Sequence, residues 1–152
     1  MTIRRVTMVE GLGYTIENWP TAAAPFGWAL VDQFYTPDEV VGQFMDAISL
    51  VEFVDSAYAR QVASGLTTAI TAPVDVELPG YFQFMCDDPD FGVMTDGNSA
   101  AGLILFGDTG VDATSPIIAV YPVTYTADGS SSLFTVSANG AVLVSTVCPS
   151  GF

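Results

Sequence analysis

The sequence predicts a mainly β fold: an antiparallel β-sandwich, immunoglobulin-like or jelly-roll-like, with one short helix. Three observations predict it. Short apolar runs rich in β-branched residues recur between Ala100 and Val147, Gly and Pro punctuate such runs along the whole chain, and only one segment carries a good helix start. Leu103–Phe106 is too short for a helix and lies between Gly102 and Gly107, so it reads as a buried strand. Gly107-Asp108-Thr109-Gly110 turns the chain into a second strand, Ile117–Tyr121. Asp128-Gly129 is the strongest hairpin signal and predicts a tip joining Val123–Thr126 to Leu133–Val136. Asn139-Gly140 repeats the signal before Ala141–Thr146, which completes a predicted four-strand meander.

Upstream, Thr2–Val9 alternates loosely and reads as a strand broken at Gly11 and Gly13. Tyr14–Trp19 is a short strand stopped by Pro20, and Phe26–Val31 (FGWALV) is a strand ending at Asp32. Thr36-Pro37-Asp38-Glu39 is a capping box with proline at the first helical position. Val40, Val41, Phe44, Met45 and Ile48 follow at helical spacing, so the helix is placed within Pro37–Ser49. Val51–Ala63 reads as strand, Gly65–Thr71 as a loop or weak strand, and Val74–Leu78 and Tyr81–Cys86 as strands around Pro79-Gly80. Turns follow at CDDPDFG (residues 86–92) and at Asp96-Gly97-Asn98. No composition shift divides the chain. Residues 26–152 form the predicted sandwich domain, and residues 1–25 an N-terminal arm or its first strands.

Charge narrows the function. The 152 residues hold 3 Lys+Arg against 17 Asp+Glu, a net charge of -14, with no His and no Lys. Such a chain repels phosphate backbones and anionic lipid, so neither nucleic acid nor membrane is an expected partner. Half the residues are apolar and only 13% are charged, which predicts that part of the surface is covered by other subunits in a homo-oligomer or larger assembly. No apolar run reaches the eighteen or so residues of a membrane span. MTIRRVTMVE lacks the apolar stretch of a signal peptide. Cys86 and Cys148 are expected as free thiols, with a single bridge between strands as the alternative.

The missing residue types also bound the chemistry. Without His or Lys there is no imidazole base, Cys-His pair or Schiff base, so no catalytic residue is assigned and no enzyme is expected. Asp87, Asp88, Asp90 and Asp96 crowd neighbouring turns with Asn98 and are candidate calcium ligands. They match no EF-hand spacing, and turn carboxylates more often accept backbone N–H bonds. No cofactor is implied. Arg60, the only cation beyond residue 5, is expected to pair with a carboxylate of its own or a neighbouring subunit. Arg4, Arg5 and Arg60 are therefore the interface candidates. Trp19 and Trp28 are conceivable sugar-stacking platforms, although neither lies beside a clear polar cluster, which favours the core.

The order FGWALVDQFYTPDE, EFVDSAYARQ, SAAGLILFGDTGVDATSPIIAVYPV and DGSSSLFTVSANGAVLVSTV resembles a family of small tailed-bacteriophage virion proteins. The resemblance runs from about Phe26 to Val147 and is carried by Tyr35–Asp38, Tyr58–Gln61, Leu103–Gly110 and Asn139–Val144. It implies a non-enzymatic structural protein located in the virion. The first expectation is a capsid decoration (cement) protein bound to the major capsid protein or other virion proteins. A tail or collar component and a virion carbohydrate-binding module are the alternatives. The first twenty-five residues, the segment Val40–Leu50 and CDDPDFG depart from the family pattern.

Overall fold

FGWALV and GLILFG contain no polar alternation, and the fold covers both faces of the strands they form. The computed structural model describes residues 6–7, 26–33, 42–71, 81–136 and 141–146. A five-stranded antiparallel sheet holds both runs. Its strands are β1 (Val6–Thr7), β2 (Phe26–Val31), β3 (Gln61–Val62), β7 (Ser99–Gly107) and β8 (Ile117–Thr126), in the order β1-β8-β7-β2-β3. On one face Phe26, Trp28, Leu30, Leu103, Leu105 and Tyr121 pack with Phe53, Cys86, Phe91 and Met94. On the other, Ala29, Val31, Ile104, Phe106 and Val120 pack with Met45 and Ile48. Each large aliphatic side chain so buried contributes roughly 1.5–3 kcal/mol.

β4 (Thr67–Thr71), β5 (Tyr81–Cys86) and β10 (Ala141–Thr146) make a second antiparallel sheet, ordered β10-β5-β4, and β6 (Asp90–Val93) pairs with β9 (Ser131–Leu133). Ala141 faces Cys86 and Thr146 faces Tyr81. The described residues are thus mainly β, with two short 3-10 turns among them at Met45–Ile48 and Asp112–Thr114. No helix among the described residues is long and apolar enough to cross a membrane.

The predicted meander is not formed. Of its steps, only β7 to β8 joins neighbours, because β9 pairs with β6 and β10 with β5. Asp128-Gly129 is accordingly no hairpin tip. Asp90 faces Leu133, Ser99 faces Thr126 and Ile104 faces Val120, so β6–β7 and β8–β9 run as one long two-stranded ribbon whose tip lies between Gly107 and Ile117. Its two strands kink together midway. The Gly97 N–H donates to the Ala127 carbonyl, the Ala127 N–H to that of Asn98, and the Gly129 N–H to that of Met94, all at 2.9 Å. Gly97 and Gly129 take φ values of 81° and 89°, open to glycine without steric cost. The same left-handed glycine that closes a hairpin also bends a paired strand at a sheet corner. Pro122 does not end a strand either: it faces Gly102 at a register shift, where its missing N–H is tolerated.

Of the segment Pro37–Ser49 in which the helix is predicted, the described residues 42–49 form only the 3-10 turn Met45–Ile48; the capping box at Thr36–Glu39 lies outside the described residues. Phe44 is extended and bridges Pro116, while the Met45 N–H donates to Ser115 (2.9 Å) and the Ile117 N–H to Gln43 (2.7 Å). Backbone groups committed to a neighbouring segment cannot also close helical turns. Val51–Ala63 is likewise no continuous strand, retaining only β3 and an isolated bridge at Glu52. At the other sheet edge Val6 and Thr7 face Val120 and Ala119. The predicted strands at Tyr14–Trp19 and Val74–Leu78, and the Asn139-Gly140 turn, lie outside the described residues.

Candidate functional site

β2 has a full ladder on one side and a broken one on the other. Toward β7 each residue from Phe26 to Val31 has a partner. On the far side Val31 faces Glu52 but Trp28 faces Gln61, so nine residues of the outer segment span three of β2 and the surplus loops out. The Leu30 carbonyl still accepts the Phe53 N–H at 2.9 Å. The Leu30 N–H donates instead to the Tyr58 hydroxyl at 3.1 Å, a side chain standing where a ladder carbonyl would be.

That hydroxyl starts a polar chain. Tyr58 donates to Glu52 Oε1 at 3.1 Å. Arg60 grips both Glu52 oxygens, through Nε at 2.7 Å and Nη2 at 2.8 Å. It also grips both Asp112 oxygens, through Nη1 at 2.7 Å and Nη2 at 3.0 Å. The guanidinium lies 5.5 Å from the centre of the Phe106 ring, in cation–π range. Two bidentate carboxylates around one planar cation fix geometry tightly. They hold the Arg60 proton far above its ordinary range. Hydrogen bonding to Arg60 holds the Asp112 carboxyl below the usual carboxylate range. Burial, ahead of the nearby Glu52 charge, pushes the Tyr58 hydroxyl up.

The ribbon and its tip support this clamp. Asp112 is presented by the β7–β8 tip, where the Thr109 N–H donates to Ser115 Oγ and the Gly110 N–H to Asp108 Oδ1. The looped-out segment is tied to the ribbon kink. Ser56 donates to Asp96 through N–H and hydroxyl, the Asp96 N–H donates to Asp55, and Asn98 Nδ2 donates to the Val54 carbonyl. Tyr58 packs edge-on against Phe53 and stacked on Phe91, which meets Phe134. Exposed apolar side chains stand within two residues of the clamp: Leu50 (95% exposed), Val54, Val62 and Val111.

The four acids singled out as calcium candidates are not gathered into a metal cage. Among the described residues, no group of three His, Cys, Asp or Glu side chains is placed to hold a metal ion. Asp87 accepts the Ser64 hydroxyl, Asp88 the Val136 N–H and Asp90 the Gly92 N–H, while Asp96 serves the Ser56 loop. Asp87, Asp88 and Asp90 do share a recess of about 200 Å³, lined also by Trp28, Gln61, Val62, Ser64 and Pro89. A second groove of about 200 Å³ runs between Tyr121–Thr124 and Leu133–Val136. Trp28 is 1% exposed and belongs to the core, so it offers no open stacking face. Cys86 is a buried thiol of the same core. Arg4, Arg5, Trp19 and Cys148 lie outside the described residues.

Reading the sequence finds Arg60 because it is nearly alone among cations, but nothing in the sequence selects Glu52 and Asp112 from seventeen acids. Tyr58 carries no signal for its role, since replacing a ladder carbonyl depends on a strand interruption visible only in three dimensions. In comparisons with protein-family models, curated proteins and solved structures, no significant match is found, so no relative places the chain in a family.

Proposed function

We propose that this chain is a non-enzymatic structural protein of a tailed-bacteriophage virion, a capsid decoration (cement) protein that braces neighbouring shell subunits. In this reading its sheets are the layers of an immunoglobulin-like or jelly-roll-like sandwich. The observation that supports it best is the Arg60 edge, a surface made stiff by two bidentate ion pairs yet flanked by exposed Leu50, Val54, Val62 and Val111. Apolar side chains on an ordered support mark a surface built for contact. Its partner is the major capsid protein or another virion protein. Binding several subunits of the assembled shell at once stabilises that state by mass action, and repeated copies add avidity.

The test adds purified protein to particles lacking it and follows co-sedimentation and heat-induced rupture. Bound protein and a raised rupture temperature are expected, both diminished by Leu50→Glu with Val62→Glu. Attachment to tails instead of shells would move the protein to the tail or collar. No attachment to particles overturns the reading.

A further inference from the structure

We draw no further inference here: the strongest candidate, the groove of about 200 Å³ between Tyr121–Thr124 and Leu133–Val136, is lined mostly by apolar side chains, and nothing in the structure shows what covers it.

Discussion

The two sides of β2 solve one problem differently. Toward β7 the backbone ladder is complete, the side chains on both faces are buried, and strand pairing with apolar packing holds the strand. Toward the outer segment the ladder breaks, and Tyr58, Glu52, Arg60 and Asp112 replace it with a chain of side-chain hydrogen bonds. The first side depends on being apolar and close. The second depends on four specific side chains and on charge, so the two sides should respond differently to substitution and to pH.

The largest effect is expected on the intact side. Leu30→Ala removes a fully buried side chain and should cost about 2–5 kcal/mol, read from denaturant midpoints at unchanged slope. Gly102→Ala on the facing strand should cost about 1–3 kcal/mol, because the new methyl would sit 2.5 Å from Val31 Cγ2. A neutral Gly102→Ala would mean that β2 and β7 pack loosely enough to admit a methyl group.

Smaller effects belong to the broken side. Tyr58→Phe leaves the Leu30 N–H without its acceptor and should cost about 1–2 kcal/mol. It also tests the alkaline limb. With its folded-state pKa raised by burial, Tyr58 contributes stability below the unfolded value near 10 that is lost as pH rises beyond it; the phenylalanine variant should lack that loss. The smallest effect concerns Asp112, whose depressed carboxyl contributes stability above about pH 4 that fades as pH falls through its folded value. The pair is partly exposed, so the loss should stay below about 1 kcal/mol and shrink with salt. Urea midpoints of Asp112→Asn between pH 5 and 2 should fall less steeply than those of the parent protein. Parallel curves would show that the ion pair adds nothing to the stability of this edge.

What is legible in the sequence follows the same division. FGWALV and the apolar run around Leu103–Phe106 identify two interior strands of the five-stranded sheet because burial on both faces leaves a continuous apolar signature. Tyr81–Cys86 and Ala141–Thr146 also become strands, although no local signal says that they pair with each other. Helical spacing misleads at Gln43–Met45 because pairing with Ser115–Ile117 outweighs that local preference. Asp128-Gly129 misleads because a left-handed glycine marks a bend, and two facing bends make a kinked ribbon instead of two hairpins. The acids stand out as a crowded turn region. Which three of them share a recess depends on how Ser64 and Trp28 approach that turn, and this is a tertiary fact.

The ribbon's local pairing also sets the order in which the chain can fold. Phe106 and Ile117 are eleven positions apart, so pairing at the tip closes a short loop and can then zip outward through the kink. Cys86 and Ala141 are fifty-five positions apart, and their pairing closes a much longer one. Local contacts form fastest where loop-closure entropy is small. We therefore expect pulsed hydrogen exchange to protect Leu103–Phe106 before Tyr81–Cys86, with the ribbon serving as the template on which the more distant strands assemble. Protection of Tyr81–Cys86 first would reverse that order.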